Sequence, residues 1–178
     1  MSSSASIKGQ THKGRHDPHA DSYEQLLAVC RKLALPESDC QEVFRRMVFN
    51  ILSNNTDDHH RNFSFVMRRD GSWRLSPAYD LNYIYDIGYF DPDEYHSLSI
   101  RAKRSHITRK DVTEFARDNG IQNPDVVIQD VATALKQFRA VALKNEVSDG
   151  WIESVEQTIM SLLKEWNEFE DYFSIICS

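Results

Sequence analysis

The stretch NNTDDHHRNFSF, residues 54–65, places two aspartates, two histidines, an arginine and an asparagine directly before an aromatic run. Three structures would account for it: a metal site, the catalytic loop of a phosphoryl-transfer enzyme, or a polar loop that caps neighbouring helices. Asp57 and Asn62 have four residues between them, which is the spacing found in protein-kinase catalytic loops. There the aspartate accepts the proton of the substrate hydroxyl and the asparagine holds Mg²⁺. Because both residue types are common in loops, the flanking sequence has to decide among the three.

Apolar periodicity before this stretch predicts two helices. Residues 21–35 and 37–55 carry apolar side chains at steps of three and four, and Pro36 separates the two segments. After the stretch, FSFVMRRDGSWRLSP (63–77) has aromatic and β-branched residues around an Asp-Gly pair, which predicts a β-hairpin. A short strand-like segment follows at 96–100.

The remainder of the chain is predicted to be helical. Thr108 is an expected N-cap for a helix that ends at Gly120, and Pro124 opens a helix whose apolar rhythm continues to Val141. The last helix has the most regular stripe, formed by Ile152, Val155, Ile159, Leu162 and Trp166. The predicted fold class is therefore mainly α with one small β-hairpin.

Length and composition predict one domain, residues 21–178, after a flexible arm at 1–20 that is polar and lacks apolar periodicity. The net charge of −6 and the pI near 5.6 argue against direct binding of nucleic acid or of an anionic membrane. No apolar run is long enough for a transmembrane helix, and the N-terminus has no apolar signal-peptide region. The three cysteines form no metal-like pair, so a reducing cytoplasm is the predicted compartment.

A second acidic residue, Asp80 in SPAYDLN (76–82), follows the predicted hairpin. Protein kinases place their second metal-binding aspartate after such a hairpin, where it links Mg²⁺ to the β- and γ-phosphates of ATP. Two acids and one amide supply oxygen ligands only, which suit Mg²⁺ better than Zn²⁺. The order of apolar helix, polar loop, hairpin and second acid therefore favours the kinase interpretation.

The segment FRRMVFNILSNNTDDHHRNFSFVMRRDGSWRLSPAYDLNY (44–83) resembles the signature of the HipA family of bacterial toxin kinases. The resemblance extends upstream through SYEQLLAV (22–29) and downstream through LSIRAKRSHITRKDV (98–112), and covers about residues 20–170. It implies a protein-kinase-like C-terminal lobe in which Asp57 is the catalytic aspartate. In the same way, it implies that Asn62 and Asp80 are the Mg²⁺ ligands that bind the cofactor.

The resemblance also implies a biological role. It implies ATP-dependent phosphorylation of serine or threonine on a translation factor such as an aminoacyl-tRNA synthetase, by the toxin of a toxin–antitoxin system. A HipB-like antitoxin, commonly a DNA-binding helix-turn-helix protein, would restrain it. Arg61 lies where kinases often carry a basic residue near the phosphates, so it is a candidate for stabilising the transition state or a plain surface charge.

The sequence departs from the family in two places. The glycine-rich loop, the lysine and the glutamate of the N-terminal lobe have no counterpart, so we expect a C-lobe alone, without an N-lobe and with little kinase activity in isolation. Three explanations remain for the missing N-lobe: it is a separate polypeptide, it has been lost from the gene, or it has been removed from a longer chain. Ala102 stands where the family has glycine, which leaves in doubt whether the segment around Ala102 and Lys103 forms the family's turn.

Other interpretations remain open at this point. The chain could be a non-catalytic remnant or interaction module that binds an antitoxin or partner chain, or His59 and His60 could be zinc ligands of a metal phosphoesterase. Asp58 is expected to be solvated or to cap a helix, and His59 to bond the loop backbone. The five basic residues at 101–110 suggest a solvated face, or else a surface for an acidic partner.

Overall fold

In a computed structural model, the protein is described over residues 21–83 and 96–176, with side chains as far as residue 166. The arm expected at 1–20 lies outside the described residues. The elements are α1 (Tyr23–Lys32), α2 (Glu37–Leu52), a 3₁₀ turn (His60–Asn62), β1 (Phe65–Met67), β2 (Trp73–Leu75), α3 (Arg109–Asp118), α4 (Pro124–Leu135), α5 (Phe138–Lys144) and α6 (Asp149–Ile176). The prediction of a mainly helical fold with one antiparallel hairpin is confirmed. No helix in the described part of the chain is long and apolar enough to cross a membrane.

Helix α2 runs through the centre of the core. It contacts α1, α4 and α6, and these helices share one cluster of buried side chains. Burying a large aliphatic or aromatic side chain contributes roughly 1.5–3 kcal/mol, so the buried apolar side chains of α2 contribute most of the stability of this helix. The buried apolar residues of α2 are Cys40, Val43, Phe44, Met47, Val48, Ile51 and Leu52.

The structure differs from the predicted helices in the C-terminal half. The run expected from Pro124 to Val141 breaks after Leu135, and α5 starts at Phe138. This break changes the face that α5 presents to the core, so Val141 is 56 % exposed and Ala142 is buried. The segment 96–100 forms isolated bridges with its neighbours instead of a strand.

The stripe of α6 also differs by one position from the prediction. Leu163 is buried and Leu162 is only half-buried, although the other four predicted positions are buried. A helix has 3.6 residues per turn, so strict steps of three and four can be continued through either of two adjacent leucines. Packing against the rest of the core decides between them.

A buried carboxylate fastens the hairpin to α2. Asp39 accepts hydrogen bonds from Arg74 Nε (2.8 Å), Arg74 Nη2 (2.7 Å) and the Leu75 backbone N–H (2.8 Å). Arg46 of the same helix donates to the Ser76 carbonyl at 2.7 Å. These bonds hold β2 along the helix and thereby set where the two ends of the hairpin lie.

The segment at 100–103 forms a two-residue turn. Arg101 and Ala102 both have positive φ, 50° and 64°, and the backbones of Ile100 and Lys103 exchange two hydrogen bonds at 2.8 Å. Positive φ at both central residues is the geometry of a type I′ turn, which glycine and asparagine adopt most easily. The turn in doubt is therefore formed, with alanine in a strained position.

Most basic side chains at 101–110 are neutralised inside the domain. Arg101 pairs with Glu114 and Asp118, and Lys103 pairs with Asp111 at 2.6 Å. Arg109 and Lys110 pair with Asp125 and Glu114, respectively. This pairing favours the interpretation of the run as a solvated face.

We expect Asp39→Asn to destabilise the protein by about 1–3 kcal/mol at neutral pH, because the hydrogen bonds to ionised Asp39 would be weakened. The hydrogen bonds from Arg74 lower the pKa of Asp39. A lowered pKa adds stability that is present above the unfolded-state value near 4 and is lost as the pH falls through the folded-state value. The difference between wild type and variant, measured by urea unfolding, should therefore shrink below about pH 4. A difference that did not depend on pH would contradict this, and the exposed Asp130→Asn serves as the control.

We expect Ala102→Gly to stabilise the protein by about 0.5–1 kcal/mol, because glycine avoids the left-handed strain but loses more entropy on folding. Thermal unfolding measures the change. The matched control is Ala132→Gly within α4, which should destabilise by about 1 kcal/mol. A loss of stability in Ala102→Gly would contradict the turn geometry.

Candidate functional site

The polar loop begins where α2 ends, and buried asparagines hold its first residues. Asn54 has a φ of +56°, which ends the helix, and the Asn55 backbone N–H donates to the Asn50 carbonyl at 2.8 Å. The side chain of Asn55 donates to Asn50 Oδ1 at 3.1 Å, and Asn50 Nδ2 donates to Tyr23 Oη at 3.0 Å. The start of the loop is therefore bonded to both α2 and α1.

Asp58 is fully buried, so the expectation that it would be solvated or would cap a helix is wrong. Its Oδ2 accepts a hydrogen bond from Tyr23 Oη at 2.8 Å and lies 3.2 Å from His96 Nδ1. Its Oδ1 accepts from the backbone N–H groups of Ser97 (2.8 Å) and Leu98 (3.3 Å). These partners lie 35–40 residues away along the chain, which is why local sequence did not reveal them.

The neighbouring Asp57 faces the opposite way. Its side chain is 52 % exposed, and its Oδ1 lies 3.7 Å from His59 Nε2. The Nδ1 atom of His59 is buried without a hydrogen-bond partner among the described residues. The backbone bond expected for His59 is therefore not made by that nitrogen.

Asn62 closes the loop onto Asp57. It ends the 3₁₀ turn, is buried, and donates from Nδ2 to the Asp57 backbone carbonyl at 2.8 Å. The structure thus brings together the two residues of the predicted catalytic spacing. Because the amide nitrogen is used in this bond, the amide oxygen is the atom left to bind a cation.

Asp80 is placed at the same end of the hairpin. The Ser76 N–H donates to the Ser64 carbonyl at 2.8 Å, which extends the pairing beyond β1 and β2. Tyr79 Oη donates to the Arg61 carbonyl at 2.6 Å and lies 2.5 Å from Ser64 Oγ. The chain just before Asp80 is therefore bonded to the chain just before Asn62. Tyr79 contacts this loop while its side chain remains partly exposed.

Asp80 itself is exposed and has a φ of +56°. Residues other than glycine rarely adopt this conformation, although aspartate and asparagine do so more often than most. Its Oδ1 accepts a hydrogen bond from Asn82 Nδ2 at 2.7 Å. Strained backbone of this kind concentrates at functional sites.

Arg61 is exposed and forms no ion pair with any residue that the structure describes. Its backbone carbonyl is held by Tyr79, so its position in the loop is defined while its side chain reaches solvent. It places a positive charge between Asp57 and Asn62 along the chain.

The described residues supply no further ligands for a zinc ion at His59 and His60. His60 is largely exposed, and its Nδ1 lies 3.4 Å from Asp21 Oδ1. Within residues 21–83 and 96–176, no group of three His, Cys, Asp or Glu side chains is arranged to hold a metal ion.

Sequence reasoning missed the side chains that hold the loop from beneath, chiefly Tyr23, Asn50 and His96. One local signal was available: Asn50 interrupts the apolar face of α2 between Met47 and Ile51. A polar side chain on a buried helical face needs hydrogen-bond partners. In Tyr23, burial first and the nearby Asp58 second raise the pKa well above the ordinary value, so the hydroxyl remains protonated and donates.

Comparisons with known proteins give one family match, one similar curated protein and one similar solved structure. Residues 1–145 match the family model of the HipA-like C-terminal domain. A Sinorhizobium fredii (strain NBRC 101917 / NGR234) protein named "Putative kinase Y4dM" is 30 % identical over 105 residues, which are 58 % of this chain and 25 % of that protein. HipA from the Shewanella oneidensis MR-1 toxin–antitoxin complex with HipB and operator DNA matches with a TM-score of 0.64 at 18 % identity. That match covers 85 % of this chain and 37 % of the solved chain, and it shows a shared fold.

We expect Tyr23→Phe to destabilise the protein by about 1–3 kcal/mol, because the buried carboxylate of Asp58 would lose its hydroxyl donor. Denaturant unfolding measures the change. The matched control is Tyr83→Phe, whose hydroxyl lies 2.9 Å from Thr158 Oγ1 in a half-buried position, and it should cost less. Equal effects from the two substitutions would contradict the importance of the buried bond.

Proposed function

The chain belongs to the HipA-like C-terminal domain family, as its sequence predicted, and we propose that it carries the Mg²⁺-ATP phosphoryl-transfer residues of a serine/threonine protein kinase. In this proposal it corresponds to the C-terminal lobe of that kinase. Asp57 would orient and deprotonate the substrate hydroxyl, and Asn62 and Asp80 would hold Mg²⁺. The chain spans 25 % of the related protein from Sinorhizobium fredii and 37 % of the solved HipA chain, so the activity of a whole kinase is part of the proposal.

The observation that carries the proposal is a pair of hydrogen bonds. One joins Asn62 Nδ2 to the Asp57 carbonyl, and the other joins Tyr79 Oη to the Arg61 carbonyl. Together they hold the chain segments that carry Asp57, Asn62 and Asp80, the three proposed site residues, at one end of the hairpin. Phosphoryl transfer depends mainly on positioning and on charge stabilisation, so such a fixed constellation suits it.

The donor atoms available at this place fit Mg²⁺. They are the amide oxygen of Asn62 and the carboxylate of Asp80, and hard cations of this size prefer oxygen ligands and keep several waters. The exposure of Asp80 leaves room for those waters and for phosphate oxygens. When bound, the metal would neutralise charge on the β- and γ-phosphates of ATP.

The remaining roles follow from exposure and charge. Asp57 is half-exposed, so a hydroxyl from another protein can reach its carboxylate. Arg61 is exposed within the same loop, and its guanidinium would stabilise charge that develops on the transferred phosphoryl group.

The wider assignment rests on the family. We propose that the chain acts in the cytoplasm as part of a toxin, that its substrate is a translation factor such as an aminoacyl-tRNA synthetase, and that a HipB-like antitoxin restrains it. The solved relative is a complex of HipA with HipB and operator DNA, which supports the antitoxin. A separate chain that supplies an N-lobe would complete the nucleotide site.

A second candidate function is a non-catalytic interaction module. Strand β1 favours it, because the consecutive side chains of Val66 and Met67, which point to opposite faces of the hairpin, are 51 % and 60 % exposed. Exposed apolar side chains on a short hairpin suit contact with a partner chain.

We expect calorimetric titration to detect binding of Mg²⁺-ATP that weakens about tenfold or more in Asp80→Asn, since a charged ligand is replaced by a neutral one. Asparagine is chosen because it tolerates the positive φ of residue 80, so the backbone is retained. Asp70→Asn at the exposed hairpin tip is the control and should bind like wild type.

Asp57→Asn separates binding from transfer. It should retain the affinity for Mg²⁺-ATP, while any transfer of labelled phosphate to serine or threonine peptides should be lost. No binding of Mg²⁺-ATP by the wild-type chain would contradict a metal–nucleotide site here and would favour the interaction module.

A further inference from the structure

Two adjacent carboxylates in the loop have opposite environments. Asp57 faces solvent, and Asp58 is completely buried with four hydrogen-bonding contacts. A buried carboxyl group is tolerated only when hydrogen-bond partners surround it. Asp58 therefore fixes the loop firmly at the position next to Asp57.

Ser97 holds the chain on both sides of Asp57. Its backbone N–H is shared between Asp58 Oδ1 at 2.8 Å and the Thr56 carbonyl at 3.1 Å. Its Oγ also donates to the Thr56 carbonyl at 3.1 Å. Ser97 therefore donates hydrogen bonds to Thr56 and to Asp58, the residues before and after the proposed catalytic aspartate.

The segment 96–100, which includes Ser97, is itself anchored in the core. Leu98 and Ile100 are buried almost completely, on either side of Ser99. The Ser99 N–H donates to the Asp21 carbonyl at 3.0 Å, and the Tyr23 N–H donates to the Ser99 carbonyl at 3.1 Å. The segment 96–100 is therefore held by the start of α1 as well as by its own apolar side chains.

Buried hydrogen bonds also join the loop to helices α1 and α2. Tyr23 donates to Asp58 and accepts from Asn50, and Asn50 in turn binds Asn55 at the start of the loop. An apolar side chain at position 58 could fill the same space, but it could not fix the direction of the backbone. Directional bonds to several elements are what a precise loop geometry requires.

We propose that Asp58 is a positioning residue: together with Ser97 and Tyr23 it holds the backbone at 56–58 so that Asp57 is presented to the substrate hydroxyl. The functional part of this inference rests on the proposed role of Asp57 as the catalytic aspartate. The structural part, that Asp58 immobilises the loop, stands independently of any activity.

The first measurement is hydrogen exchange of the backbone amides at 55–62 in the full chain. Asp58→Asn should raise their exchange about tenfold or more, because the asparagine amide cannot accept from all four groups. Asp111→Asn is the matched control, since Asp111 is also buried and accepts hydrogen bonds from Thr108 and Lys103 at the distant start of α3. It should leave exchange in the loop unchanged. Unchanged exchange in Asp58→Asn would overturn the inference.

The second measurement separates positioning from general loss of stability. In Asp58→Asn, any transfer of labelled phosphate from Mg²⁺-ATP to serine or threonine peptides that the wild-type chain catalyses should fall about 100-fold, because a small misplacement of reacting groups slows a reaction to this extent. The dissociation constant for Mg²⁺-ATP should change less than about twofold, because Asn62 and Asp80 are untouched. Faster exchange with an unchanged rate of transfer would overturn the positioning role.

The two proposals fail in different ways. A wild-type chain that binds no Mg²⁺-ATP and transfers no phosphate would contradict the kinase function, while the exchange experiment would still decide whether Asp58 immobilises the loop. If Asp58→Asn does not fold, Ser97→Ala removes only the hydroxyl bond to Thr56 and should raise exchange about threefold. No change in that variant would overturn the inference.

Discussion

The candidate site depends on the burial of helix α2. Its apolar side chains form the centre of the core, and three polar side chains, Asp39, Arg46 and Asn50, are buried with them. Asp39 and Arg46 hold the second strand of the hairpin, and Asn50 holds the start of the loop. Since buried polar groups cost free energy without partners, any shift of α2 would break these bonds together. Loop and hairpin are thus positioned by one element, which explains how residues distant in sequence meet.

The parts of the fold that depend on local order were predictable from the sequence. The apolar steps before Asn54 and the Asp-Gly pair in the hairpin gave α2 and the β-strands, because a helix or a tight turn is specified by its own residues. The spacing from Asp57 to Asn62 predicted a compact loop, and the bond from Asn62 Nδ2 to the Asp57 carbonyl agrees with it. The roles assigned to these residues remain predictions.

The parts that depend on distant contacts were not predictable in this way. Asp58 looks like any loop carboxylate until the backbone of Ser97 and Leu98 is brought against it. The break after Leu135 leaves no glycine or proline in the sequence to mark it, and packing of α5 against α6 accompanies it. Ala102 adopts a left-handed conformation that its sequence disfavours, because Ile100 is buried and Lys103 pairs with Asp111. In each place tertiary contacts overrode local preference.

The openness of the site has a physical consequence for its chemistry. Asp57 and Asp80 are both exposed, so water competes for each interaction that they make. Electrostatic stabilisation of a transferring phosphoryl group is strongest where water is excluded, and a surface that covers the phosphates would supply that exclusion. The rigid anchoring through Asp58 fits this division, because a loop that is fixed from beneath can be completed by a second surface without reordering. The longer relatives have chain length from which such a surface could be built. In the proposed kinase, the fixed loop would supply the positions of the reacting groups, and a covering surface would supply the exclusion of water.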